Sequence, residues 1–325
     1  MKLKIITFLF SIALLMALIY YSDFFKVVDA LSKINLSYVL LGISLWPIIS
    51  FLRAFRWYTI LKKIDINLPY WSVFKIYFAG DFISQITPGR VGEPMKSFLL
   101  KTVEGKSIGT TISSTLLERL MDMLVMIIII SIGTFFLWTT INKIIPWLIP
   151  VLVFFPIFLV FIVIIISSER ILLKTVSSFQ SMLFFISFIK GRKRKIMKFF
   201  KSVNKTFLMY RDIKLFFKIF LITMSLWIFE GFILLLAFKS LGISVSLFST
   251  ILVVAVAALV AFITILPLGL GSIELVIVLF FTSFYPLTAA EVLAAAIVVR
   301  FMSYWVYIFM GAIFFNTLKH KHKLH

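Results

Sequence analysis

Pro88-Gly89-Arg90-Val91-Gly92-Glu93-Pro94 and Pro267-Leu268-Gly269-Leu270-Gly271-Ser272-Ile273-Glu274 decide how this chain is read. Each begins with Pro, carries Gly at +1 or +2 and again at +4, and runs to a Glu. Each lies between apolar stretches where membrane helix is expected. Broken backbone at membrane depth is tolerated only where protein or a wet cavity satisfies the freed N–H and C=O groups. In many transporters one such interruption in each half of the chain marks the binding site. The pair therefore points to a membrane transport protein built from two related, Pro/Gly-interrupted halves.

Composition agrees. The 325 residues are 62% hydrophobic and 14% charged, with a mean hydropathy of +1.11, well beyond soluble domains, where about half the residues are apolar. No stretch of ordinary soluble composition is long enough for a second folded domain. The expected class is an all-α polytopic membrane protein, one integral domain over 1–325. The net charge of +20 would suggest nucleic acid in a soluble chain. Here the bases flank apolar runs, so the positive-inside rule and anionic headgroups explain them, and no nucleic acid is expected. Cysteine is absent, and the three histidines, His320, His322 and His325, sit in the last six residues. No thiol site, metal or other cofactor is therefore expected. Residues 1–21 lack a small-residue cleavage site and read as a retained first span rather than a signal peptide.

A helix needs about 20 apolar residues to cross the hydrocarbon. Runs at roughly 5–21, 36–54, 114–138, 147–167, 215–238, 247–266, 273–287 and 289–315 give about eight transmembrane helices. Segment 70–88, interrupted by Lys75, Asp81 and Gln85 and stopped at Pro88, reads as re-entrant. Segment 178–189 is too short to span and reads as interfacial or dipping in. The cluster Lys190, Arg192, Lys193, Arg194, Lys195, Lys198, Lys201 and Lys205 marks the cytoplasmic side. Eight spans with both termini cytoplasmic place every other basic cluster on that side too.

Charges inside apolar runs cost about 2.5–3.5 kcal/mol each on insertion scales, so they face a bundle interior and have partners. Glu118 and Asp122 share a helix face with Arg119 beside it, and could pair with Arg90 or Lys96. Glu230 and Arg300 sit in mid-span; they could pair with each other, or Arg300 could reach Glu274. Arg90, the glycines Gly89 and Gly92, and the helix N-terminus after Pro94 suit a lipid phosphate. Arg300 with Gly269 and Gly271 offers a second contact of the same kind. Glu93, Glu118, Arg119, Asp122, Glu230 and Glu274 would be supporting charges. Arg53 and Arg56, next to Trp57, read as snorkelling interfacial anchors. No nucleophile–base set is present and no catalytic residue is assigned.

Arg53-Ala54-Phe55-Arg56-Trp57, the Pro88–Glu93 segment, Glu118-Arg119-Leu120-Met121-Asp122, the Pro267–Glu274 segment and Arg300 occur in that order. The ordered set resembles the membrane domain of lysylphosphatidylglycerol synthetases and its stand-alone bacterial and archaeal relatives. It departs at Pro267-Leu268-Gly269, where the family usually has Pro-Gly-Gly. The resemblance implies a flippase-like fold in a prokaryotic cell membrane, with anionic or polyprenyl-phosphate lipids as partners. In the bifunctional synthetases this domain translocates the aminoacylated lipid made by a soluble domain. Archaeal relatives are joined to glycosyltransferases acting on polyprenyl phosphates. A lipid transporter is thus the leading expectation, and a non-catalytic scaffold for a separate glycosyltransferase or lipid-modifying enzyme the alternative. The two differ in a physical feature: a transporter needs a polar cavity at the bundle centre, whereas a scaffold can be dry there.

Overall fold

The computed structural model describes residues 2–86, 94–105, 108–136, 193–208, 211–264, 266 and 269–322, plus isolated positions between 157 and 175. The elements are α1 (Lys2–Tyr21), α2 (Phe24–Ser32), α3 (Leu36–Ser44), α4 (Trp46–Lys63), α5 (Tyr70–Ile86), α6 (Met95–Glu104) and α7 (Ile108–Phe136). They continue with α8 (Lys193–Leu208), α9 (Ile213–Ser240), α10 (Leu247–Thr264), α11 (Ser272–Phe284), α12 (Ala289–Val299), a π-helical segment (Arg300–Trp305) and α13 (Val306–His322). Among the described residues every element is helical.

Among the described residues, five helical units are long and apolar enough to cross a membrane: Leu36–Lys63, Ile108–Phe136, Ile213–Ser240, Leu247–Thr264 and Ala289–Leu318. A sixth arises if α1 and α2, bent by 79°, count as one. The run expected at 273–287 forms α11, which at 13 residues is shorter than a span. The expected span at 147–167 and the short segment 178–189 lie outside the described residues. The exterior is apolar: Phe135, Leu221 and Phe309 are exposed to 78%, 62% and 67%. Such a surface fits lipid and would be a liability in water.

Local chemistry sets the helix ends. Asn35 caps α3 by accepting from the Ser37 N–H, and Asp212 caps α9 by accepting from those of Lys214 and Leu215. The Lys63 ammonium also donates to Asp212 at 2.8 Å, tying the end of α4 to the start of α9. That bond and the two backbone donors hold the Asp212 carboxyl below the usual carboxylate range.

The segment between α10 and α11 is a turn that only glycine fits well. Gly269 and Gly271 have φ of +61° and +81°, where an L side chain is strained. The Gly271 N–H donates to Glu274 Oε2 at 2.8 Å, so the acid at the end of the motif caps α11. In the first half, α5 and α6 flank the Pro88 segment as α10 and α11 flank the Pro267 segment.

Three apolar clusters hold the bundle. One joins α4, α5, α7 and α13 through Trp57, Tyr77, Phe78 and Leu117. A second joins α7, α9, α10, α11 and α12 through Met126, Leu234, Val253 and Phe281. A third joins α3, α4 and α9 through Val39, Ile49 and Ile233. α5 packs along α13, α4 and α6, with Val73 and Phe78 fully buried.

Candidate functional site

The three clusters meet at a cavity of about 260 Å³. Its apolar lining includes Trp46, Met126 and Ile233; its polar lining includes Arg53, Arg56, Asp81, Lys96, Glu118 and Asp122 from the first half and Glu230, Gly269 and Arg300 from the second. A charged chamber at the centre of an otherwise apolar bundle is what the transporter expectation requires.

One wall is a closed ion cluster. Arg56 has five N–H donors and five hydrogen bonds use them. Nε and Nη2 donate to Glu118 Oε1 at 3.2 and 3.0 Å. Nη1 and Nη2 donate to Asp122 at 2.5 and 3.2 Å. Nη1 also donates to Thr223 Oγ1 at 3.1 Å. Glu118 Oε2 accepts from Lys96 Nζ at 2.7 Å, and that ammonium lies 4.2 Å from the centre of the Tyr77 ring. Glu118 is 3% exposed and Arg56 4%. The i,i+4 spacing of Glu118 and Asp122 on α7 brings both carboxylates to one guanidinium.

The α10–α11 turn also contributes to the lining, through Gly269. Arg300, first residue of the π segment, donates from Nε to Glu274 Oε1 at 2.8 Å and from Nη2 to the Gly269 carbonyl at 3.1 Å. π-helical turns cluster at functional sites, because the extra residue re-aims side chains. The guanidinium lies 5.2 Å from the centre of the Tyr304 ring.

Arg53 Nη2 donates to Glu230, joining α4 to α9 across 177 residues of sequence. Arg53 also lies 5.2 Å from the centre of the Tyr307 ring. Asp81 on α5 is buried at the cavity edge. Among the described residues no three of His, Cys, Asp and Glu could hold a metal ion.

The sequence-derived candidates are thus partly gathered. Glu118, Arg119, Asp122, Glu230, Gly269 and Arg300 line the cavity, and Glu274 stands behind Arg300. Gly271 supports Glu274 rather than facing the chamber. Of the pairings offered for Glu118 and Asp122, Lys96 forms one. Glu230 pairs with Arg53 and not with Arg300. Gly89, Arg90, Gly92 and Glu93 lie outside the described residues; Lys96, just after them, shares the cavity with Gly269.

Arg53 and Arg56 correct the sequence reading. They are not snorkelling anchors at the membrane surface, but the centre of the charge network. Asp81, an acid expected inside a membrane segment, is buried and lines the cavity. The available signal was that Ile60, Leu61 and Ile64 continue the apolar pattern beyond both arginines. A span that resumes after its charges carries them inside it.

Fold and cavity define a polytopic helical membrane protein with a charged central chamber. The sequence matches the family described as lysylphosphatidylglycerol synthase TM region over residues 5–311, and the chain belongs to that family. Among its relatives, a UPF0104 membrane protein of Methanocaldococcus jannaschii is 26% identical over 98% of this chain and 97% of its own length. One of Methanothermobacter thermautotrophicus is 24% identical over 88% and 87%. One of Pyrococcus horikoshii is 22% identical over 95% and 96%.

Proposed function

We propose that this protein moves a phospholipid or a polyprenyl-phosphate-linked lipid across the cell membrane, binding the lipid phosphate in the central cavity. The observation that carries the reading is the charged chamber itself. A scaffold gains nothing from a cavity whose charges each cost free energy to insert. A lipid headgroup needs such a chamber to avoid bare hydrocarbon.

In this reading Arg300 contacts the phosphate, its planar fork matching two phosphate oxygens. Arg90 and the N-terminus of α6 supply a second contact, aided by Gly89 and Gly92. Glu93, Glu118, Asp122, Glu230 and Glu274 hold the cations in place between loads. Rocking of one half against the other opens the chamber to each side in turn. Both termini lie in the cytoplasm.

The test is reconstitution into liposomes with head-labelled phosphatidylglycerol and polyprenyl phosphate, followed by quenching of the label from outside. Arg300→Gln and Arg90→Gln should slow transfer while the protein still folds and inserts. Folded variants that transfer lipid at the parental rate would sink the phosphate assignment. Absence of transfer by the parent across the lipid panel would sink transport.

A further inference from the structure

We propose that Arg53 is a second phosphate-contacting residue of the cavity, latched by Glu230 until an anionic headgroup displaces that carboxylate. The inference rests on the reading of the chamber as a lipid-phosphate site. The Arg53–Trp57 motif by itself reads as an interfacial anchor; geometry puts Arg53 on the cavity wall.

The argument is one of donor accounting among the cavity's cations. Arg56 is saturated, with five donors on Glu118, Asp122 and Thr223. Lys96 is 6% exposed and held by Glu118. Arg300 is 14% exposed and divides its donors between Glu274 and the Gly269 carbonyl. Arg53 is different. Its side chain and that of Glu230 are both 25% exposed, and both line the cavity. Nη2 carries its one hydrogen bond, to Glu230, so among the described residues Nε and Nη1 have no hydrogen-bond acceptor. A guanidinium with open donors on a cavity wall is preorganised for a second acceptor, and phosphate presents several.

The aromatic wall places it further. Arg300 stacks against Tyr304 and Arg53 against Tyr307, so both guanidiniums rest on one stretch of the helix that runs through the π segment into α13. Tyr304 and Tyr307 are three residues apart, about 5 Å along the axis. The two arginines are successive stations along one wall. Glu230 is the competing acceptor at the second station, and a one-to-one pair on the cavity surface yields to a new anion more readily than the closed cluster around Arg56.

This predicts effects of opposite sign for the two partners of one ion pair. The protein in detergent micelles is titrated with a short-chain phosphatidylglycerol bearing a fluorescent acyl chain. A glucosyl diacylglycerol with the same chains serves as the uncharged probe. Arg53→Lys keeps the charge and the pair but loses the fork, and should weaken phosphatidylglycerol binding about tenfold. Glu230→Gln removes the competitor and should tighten it about tenfold. Neither should change binding of the uncharged probe. Size-exclusion and tryptophan melts identify folded variants, and Arg53→Gln is a further check. If both substitutions weaken binding, or neither changes it, the pair is structural and the proposal fails. Lipid transfer in liposomes is scored separately. Opposite signs in binding without transfer by the parent would leave the Arg53 site standing and remove the transport reading. Transfer that persists with unchanged binding in Arg53→Lys would do the reverse.

Discussion

Glu118→Gln should destabilise the folded protein by about 3–5 kcal/mol, the range for breaking a buried ion pair on one side. Glu118 accepts two bonds from Arg56 and one from Lys96, and it is 3% exposed, so solvent does not discount them. The two cations fare differently. Arg56 keeps Asp122 and Thr223. A glutamine oxygen can still accept from it, so Arg56 loses the attraction of a full charge but not all its bonds. Lys96 is the residue stranded. Its ammonium, 6% exposed, would face an amide N–H₂ in place of a carboxylate oxygen and keep only its place over the Tyr77 and Trp57 rings. One charge-assisted bond is worth about 1.5–3 kcal/mol, and the uncompensated charge adds the remainder. Adding Lys96→Met removes the stranded charge and restores the balance, so the double variant should recover about 2 kcal/mol relative to Glu118→Gln. The measurement is equilibrium unfolding in mixed micelles by SDS titration, read by circular dichroism and tryptophan fluorescence. A Glu118→Gln protein within about 0.5 kcal/mol of the parent, or a double variant no more stable than the single, would refute the closed-cluster reasoning.

Three further outcomes are expected. Gly80→Ala should abolish monodisperse folded protein, because its Cβ would sit 2.7 and 2.8 Å from Lys96 Cα and N; folding at the parental yield would contradict the close α5–α6 contact. Gly271→Ala should cost about 1 kcal/mol or more of stability from its φ of +81°, and should weaken headgroup binding by loosening Glu274 and with it Arg300; an unchanged melt would disprove the turn argument. The chain has no cysteine, so Phe24→Cys and Phe200→Cys report position without background. They should label from opposite faces of sealed vesicles, and labelling of both from one face would overturn cytoplasmic placement of both termini.

The helical architecture was legible because hydropathy reports lipid-facing helices directly. The runs at 114–138, 215–238 and 289–315 correspond to α7, α9 and α12–α13. The Pro267 segment was legible as a break for a local reason: two glycines at positive φ and an acid three residues past the second are a turn-and-cap pattern that needs no tertiary information. Pairing was legible only as a choice. Glu118 had Lys96 or Arg90 within plausible reach, and Glu230 had Arg300. Sequence spacing cannot rank partners on different helices, and Glu230 took Arg53 instead. Arg53 and Arg56 were misplaced because the apolar run was closed at residue 54. The helical unit continues to Lys63, which puts both arginines inside it and Trp57 in the core at 0% exposure. An arginine beside a tryptophan has the same local signature at a membrane surface and in a buried cluster, and only what packs on the following turn separates the two.

The distribution of charge in the chamber links the fold to the proposed transport. Arg56, Glu118, Asp122 and Lys96 come from three helices of the first half, α4, α6 and α7, with Thr223 of α9 as a neutral contact. They bind one another so fully that no donor of Arg56 remains for a ligand. Arg300 and Glu274 belong to the second half and likewise hold each other. Two ion pairs cross from α4 to α9: Lys63–Asp212 at the helix ends, and Arg53–Glu230, which lines the cavity and is more open than either cluster. A bundle whose halves rock must break contacts between them while keeping those within them. A partly exposed, one-to-one ion pair costs less to break than the closed cluster around Arg56, and a phosphate that takes over Arg53 would break it. Ligand binding and release of the halves are then the same event, which is why the opposite-sign test on Arg53 and Glu230 also bears on how movement starts.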